Sequence, residues 1–251
     1  MPRVRADQLL VERGLAASRH RAQLLIMAGQ VWMGTARVAK PAQLLDAAVA
    51  LRVASPARFV SRGGEKLQAA LDAFGVDPSG RHCLDIGAST GGFSDCLLQA
   101  GAASVLAVDV GRAQLHQKLR DDPRVTLLEG TNARDLPQLP GSPGSPVELF
   151  VADLSFISLR KVLPSVAARL GGGVEGIVLL KPQFEAGPAD VPRGGVIRDP
   201  RVRERVLSGF VGWLAAEGWE VDATMECPVR GGEGNIEYLV HLHTPPEGVS
   251  C

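Results

Sequence analysis

The run Cys83-Leu84-Asp85-Ile86-Gly87-Ala88-Ser89-Thr90-Gly91-Gly92 restricts the folding choices of this chain more than any other segment. Its first four residues read as a buried strand, three glycines break it, and helical text follows over 93–99. The same alternation then repeats. Strands are predicted over 104–110, 125–128, 149–153 and 176–181, with helices over 114–119, 159–170 and 200–217. Two closing strands, over 220–225 and 237–243, make a terminal hairpin. Before the first strand, an amphipathic helix runs to about Phe74, with Leu67, Ala70, Leu71 and Phe74 on its apolar stripe. Alternating strand and helix text predicts an α/β fold, a Rossmann-like doubly wound sheet of seven strands.

The glycine loop narrows the ligand. Gly87, Gly91 and Gly92 let backbone approach a bound molecule closely, and Asp109 closes the next strand about twenty residues on, where an acid can grip ribose hydroxyls. A dinucleotide site prefers G-x-G-x-x-G with pyrophosphate at the helix N-terminus. Here the spacing differs, Asp85 precedes the loop, and no basic residue waits for phosphate. That pattern suits the uncharged sugar and cationic sulfonium of S-adenosylmethionine. Its contacts are expected from Asp85, Gly87, Ala88, Ser89, Thr90, Gly91, Gly92, Phe93, Asp109, Val110, Asn132, Ala133 and Asp153. A purely structural glycine turn is the alternative.

The formal net charge of zero hides an asymmetry. Residues 1–66 hold eleven Lys and Arg against four Asp and Glu, and the remainder is correspondingly acidic. A basic segment of this kind points to a polyanion, or else to a solvated basic surface. It reads as a small α+β module. A helix over 6–14 stops at Gly14, Ser18 caps a second over 19–28, and strands follow over 31–33 and 49–53. Arg19 and Arg21 near a capped helix start are well placed for phosphates. The domains are expected at 1–54 and 62–245, with a linker over 55–61 containing Pro56.

The chemistry is sought where the strands end. Asp153 and Lys181 terminate neighbouring strands, Glu237 begins another, and Lys66 lies on the helix before the first. Two lysines and two acids can handle protons, or can be two structural salt bridges. Methyl transfer from a sulfonium needs alignment and a nucleophile that loses its proton. A lysine whose charged form is disfavoured by burial and a second ammonium can take that proton from an alcohol. The strand-four end Asp153-Leu154-Ser155-Phe156 lacks the N-P-P-Y-like signature of adenine N-methylation. Cys227-Pro228 lies after strand six, away from where a covalent base nucleophile is needed.

Four cysteines, at 83, 96, 227 and 251, show no paired spacing, so neither zinc nor a disulfide framework is suggested. His241 and His243 share one strand face, read as solvated rather than metal-binding, and no metal is assigned. No apolar run approaches the roughly 20 residues of a membrane-spanning helix. With no signal-peptide pattern either, the expectation is a soluble, cytoplasmic monomer without membrane partners.

Two resemblances extend this reading. The first fifty residues, through Arg5-x-Asp7-x-x-Leu10-Val11, Gly14-Leu15, Ser18-Arg19-x-x-Ala22, Gly29-x-Val31 and Lys40-Pro41, resemble the S-four-like RNA-binding fold. Val31-Trp32-Met33-Gly34 stands where that family usually has Val-x-Val-Asn-Gly. Across nearly the whole chain, the segments Ser61-Arg62-Gly63-Gly64-x-Lys66, Asp85 to Phe93, Asp153-Leu154-Ser155-Phe156-Ile157-Ser158-Leu159, Lys181-Pro182-Gln183-Phe184-Glu185 and Glu233-Gly234-Asn235-x-Glu237 resemble the TlyA family. Its members are ribosomal RNA 2′-O-methyltransferases, also called hemolysins. The resemblance implies an FtsJ-like Lys-Asp-Lys-Glu tetrad at Lys66, Asp153, Lys181 and Glu237, and cytidine ribose in ribosomal RNA as acceptor. RNA or ribosomal-subunit contacts are expected from Arg3, Arg5, Arg19, Arg21, Lys40, Arg58 and Arg62. Two departures are Glu65, where an aromatic or aliphatic residue is common, and Arg112, where Tyr is expected. The rival readings are a ribosome-binding protein with a vestigial cofactor pocket and a membrane-active hemolysin.

Overall fold

The computed structural model describes residues 3–54, 57–135 and 146–246. It divides into two compact units, Met1–Ala57 and Arg58–Cys251. In the smaller unit, β1 (Arg3–Arg5) leads into α1 (Ala6–Glu12) and α2 (Arg19–Met27). The short strands β2 (Val31–Met33), β3 (Ala36–Arg37), β4 (Leu44–Asp46) and β5 (Leu51–Val53) follow. Strand β1 pairs antiparallel with β4, and β2 lies between β3 and β5 in a second antiparallel sheet. Ser18 caps α2 by accepting from the Arg21 amide, and Ala22, Leu25 and Ile26 turn inward with Leu9, Leu10 and Val31. Strands β1, β3 and β4 were not expected, and β5 is shorter than the strand read over 49–53.

The larger unit begins with α3 (Gly63–Phe74), then β6 (His82–Ile86), α4 (Gly92–Gln99), β7 (Ser104–Asp109), α5 (Gln117–Arg120) and β8 (Val125–Glu129). It continues through β9 (Leu149–Ala152), α6 (Leu163–Leu170), β10 (Glu175–Leu180), α7 (Pro182–Glu185), α8 (Pro200–Ala216), β11 (Glu220–Glu226) and β12 (Tyr238–His243). The strands form one seven-stranded sheet in the order β11-β12-β10-β9-β6-β7-β8. Strands β6 to β10 run parallel, whereas β12 is antiparallel to both of its neighbours.

Strand alternation feeds two cores. Cys83, Val105, Ala107, Leu149, Val151, Ile177 and Leu179 face α3 and α4, while Leu84, Ile86, Leu106, Val108, Phe150, Ala152 and Val178 face α6 and α8. Residues 58–61, expected in the linker, belong to this unit. Phe59 is buried, and the Val60 amide donates to Asp95 Oδ2 at 2.9 Å. Ser55 and Pro56 lie outside the described residues.

His241 is not on a solvated face. It is buried, its ring stacked on Phe74 at 5.5 Å and its Nε2 2.8 Å from Glu175 Oε1, while His243 Nδ1 meets Asp222 Oδ2 at 2.9 Å. Burial alone would raise the Glu175 carboxyl, but bonds from Arg81 and His241 hold it below its ordinary range. This network sits at the sheet end opposite the one reached by Leu180. Cys83, Cys96 and Cys227 are free and buried, and burial pushes the first two thiols up to about 12.

Candidate active site

The site forms at the carboxyl ends of the parallel strands, where β6 lies between β7 and β9 and the connections reverse direction. Gly87 (φ +83°) starts the turn after β6, and a Cβ there would lie 2.7 Å from the Asp153 carbonyl oxygen. Glycine is therefore what lets this loop rest on the end of β9. Asp109 ties the loop from the other side. Its two oxygens accept from the amides of Ser89, at 2.7 Å, and Gly111, at 2.6 Å.

Helix α3 reaches the same place through close glycine packing. Gly63 approaches Gly92 and Phe93 on α4, and a Cβ on Gly64 would enter the Phe59 ring at 2.2 Å. The Ser-Arg-Gly-Gly segment thus carries Lys66 over the loop. Lys66 Nζ bonds Glu237 Oε2 at 2.5 Å, with both side chains more than nine-tenths buried. Lys181, immediately after β10, lies 2.7 Å from Asp153 Oδ1, off the line of a hydrogen bond, and donates to Ser155 Oγ at 2.9 Å.

Two adjoining cavities meet at these groups. One, of about 450 Å³, is lined by Gly87, Ser89, Asp109, Val110, Asn132 and Ala133 together with Asp153 and Phe156. The other is lined by Arg62, Lys66, Ala88, Thr90, Gly92, Phe93 and Lys181, and shares Gly87, Ser89, Asp153 and Ser155 with the first. Most of the expected cofactor contacts therefore come together around one space. Gly91 and Asp85 line neither cavity. Gly91 (φ +95°) backs onto Leu119 and Leu115.

Asp85 is fully buried, and its Oδ2 accepts from Ser94 Oγ at 2.6 Å while Oδ1 has no partner among the described residues. Burial pushes its carboxyl up to about 7. In the unfolded chain the group ionises near pH ~4. Its contribution to stability is thus present at acid pH and is lost as pH rises toward about 7. Asp85→Asn keeps an acceptor for Ser94. We expect its melting temperature to gain on the wild type as pH rises from about 5 to about 8. A gap that does not vary with pH would show that Asp85 does not titrate in this range.

The TlyA-like segments contain further side chains that brace the site, whose roles the sequence pattern did not give. Glu185 accepts from Ser158 Oγ at 2.7 Å and from the Leu159 amide at 2.6 Å, joining the loops after β9 and β10. Asn235 accepts from the Ile197 amide and donates to the Gly195 carbonyl, fixing the approach to Glu237. Phe156 stands 91% exposed with φ +64°, its ring 5.3 Å from that of Phe184. A hydrophobic residue this exposed in a left-handed conformation is uncommon outside functional sites.

The expected RNA contacts in the smaller unit divide into two groups. Arg5 and Arg19 converge on the buried Asp7, both at 2.9 Å, and these bonds hold that carboxyl well below its usual range. Arg3, Arg21 and Lys40 are exposed. In the larger unit Arg58 lies over the Phe59 ring and Arg62 borders the second cavity.

An antiparallel strand wedged between the fifth parallel strand and its outer neighbour departs from the dinucleotide-binding order. With an acid-lined cavity at the strand ends, this sheet defines the class of Rossmann-like methyltransferases. The chain belongs to the FtsJ-like methyltransferase family, which matches residues 59–244. It is 46% identical over 244 residues to the 16S/23S rRNA (cytidine-2′-O)-methyltransferase TlyA of Mycobacterium tuberculosis, covering 96% of this chain and 90% of that protein. It is 41% identical over 240 residues to Hemolysin A of Brachyspira hyodysenteriae, covering 95% and 99%. A solved structure described as "Putative hemolysin from Streptococcus thermophilus" superposes with a TM-score of 0.74 at 39% identity, covering 99% of this chain and 92% of that one. Among the described residues, no helix is long and apolar enough to cross a membrane.

Proposed function

We propose that this protein transfers the methyl group of S-adenosylmethionine to the 2′-hydroxyl of a cytidine in ribosomal RNA. The observation that carries the reading is the convergence of Lys66, Lys181 and Asp153 on the cavity that the glycine loop borders. The adjoining cavity is lined by Asp109 and Asp153 and, among the described residues, by no lysine or arginine. That donor set fits a cationic sulfonium and a neutral nucleoside and offers nothing to a pyrophosphate. Gly87 and Ser89 would border the cofactor, Asp109 would take the ribose hydroxyls, and Asn132 and Ala133 would flank the adenine. The cofactor supplies an electrophilic methyl group.

The chain's own groups then align the acceptor and manage its proton. Lys181, acting as the neutral amine beside Asp153 and Ser155, would take the hydroxyl proton as the new C–O bond forms and the sulfur–methyl bond breaks, leaving a neutral thioether. Lys66, held by Glu237, supplies positive charge beside the developing alkoxide. Phe156 and Phe184 offer a stacking face for a base turned out of its helix. The named activity of the Mycobacterium relative supports cytidine ribose as the acceptor. The basic composition of residues 1–66 supports RNA as its carrier.

The test is to incubate the protein with tritiated S-adenosylmethionine and ribosomal subunits, intact ribosomes and naked ribosomal RNA, then map the label. Label on one or a few cytidines, in alkali-resistant linkages, is the expected result. Label on a base, or none on any of the three substrates, would sink the reading.

A further inference from the structure

The smaller unit's three-stranded sheet sets one residue from each strand in a single row. Trp32 on β2 is in register with Arg37 on β3 and with Arg52 on β5. Val31 is fully buried, so strand alternation turns Trp32 to the face away from the core. The Arg37 guanidinium lies 4.8 Å from the centre of the indole ring and that of Arg52 lies 5.8 Å from it.

The two arginines differ from their neighbours in what they bind. Asp7 engages Arg5 and Arg19, and Arg13 donates to the carbonyls of Ala47 and Val49. Arg37 and Arg52 are exposed, and among the described residues neither has a carboxylate within salt-bridge distance. Two uncompensated cations therefore flank a half-buried aromatic ring on an open sheet face. An acidic peptide would satisfy the cations alone. A nucleotide strand satisfies all three groups, because its bases are flat and its phosphates recur on either side of each base.

We propose that the Arg52–Trp32–Arg37 row is an RNA contact, with an unpaired base on Trp32 and neighbouring phosphates on the two arginines. The inference rests on ribosomal RNA being the substrate. It adds a sheet face to the α2 surface suggested by sequence.

The test titrates the full chain with naked ribosomal RNA between about 50 and 200 mM salt, alongside S-adenosylmethionine binding and thermal melting. Replacing both arginines, Arg37→Ala with Arg52→Ala, should reduce the slope of log affinity against log salt by about one to two. Trp32→Ala should weaken binding about tenfold, and Trp32→Phe should retain most of the affinity. Should Trp32→Ala unfold the unit, Trp32→Leu keeps an apolar side chain without a stacking face and must still lose what Trp32→Phe retains. Wild-type affinity and salt slope in folded variants of both kinds would overturn the inference while leaving the proposed function standing. A wild-type protein that binds S-adenosylmethionine but neither binds nor methylates the RNA would overturn both.

Discussion

Lys181→Ala is expected to slow methyl transfer by about a thousandfold while S-adenosylmethionine binds nearly as before. The lysine is nine-tenths buried and, with Asp153 and Ser155, lines the cavity that the glycine loop borders. The other site lysine, Lys66, is bonded instead to Glu237 at 2.5 Å. Single-turnover transfer and calorimetric titration of the cofactor separate the two quantities. Lys181→Arg extends the test, because a guanidinium can still donate to Asp153 and Ser155 but cannot accept a proton. It should be as slow as the alanine variant. Near-wild-type turnover in either variant would remove Lys181 from the mechanism.

Gly87→Ala is expected to weaken cofactor binding by about a hundredfold. A left-handed residue with a Cβ costs roughly 1–2 kcal/mol before any contact is considered. The added carbon would also lie 2.7 Å from the Asp153 carbonyl, a backbone atom fixed by the Asp153 amide's own bond to Ile86. Relief requires the loop to lift off β9, which opens the cavity between Ser89 and Asp153. Equilibrium binding with a melting curve distinguishes this from global unfolding. A folded variant that binds the cofactor as tightly as the wild type would show that the loop has room to spare.

The sequence disclosed these elements unevenly, for physical reasons. Strands β9 and β10 are buried on both faces, so Leu149–Ala152 and residues 177–180 read as apolar runs even in isolation. Strands β1 and β3 are two or three residues long and carry arginines, and β1 exists because Leu44–Asp46 pairs with it across some forty residues. No local pattern encodes that. In the site, Asp153 and Lys181 could be found because strand ends in a parallel sheet face one crevice. Ser155, Glu185 and Asn235 could not, because a hydroxyl, carboxylate or amide does not disclose its partner until the loops are folded together. Asp85 misled in the opposite sense. Its place before the glycines suggested a ligand contact, yet strand alternation buries its side chain beneath them.

The position of β12 has a bearing on biosynthesis. Among the described residues the strand latest in the chain is not an edge strand: it inserts between β10 and β11, and Glu237 just before it is the buried partner of Lys66, 171 residues earlier in the chain. At translation speeds of about 5–20 residues per second, that interval lasts on the order of ten to thirty seconds. Throughout it, the sheet lacks an inner strand and Lys66 lacks its counterion. If Lys66 and Glu237 act together as proposed, activity begins only once synthesis has passed Glu237. If ribosomal RNA is the substrate, this arrangement keeps the enzyme inert toward the ribosome that is making it.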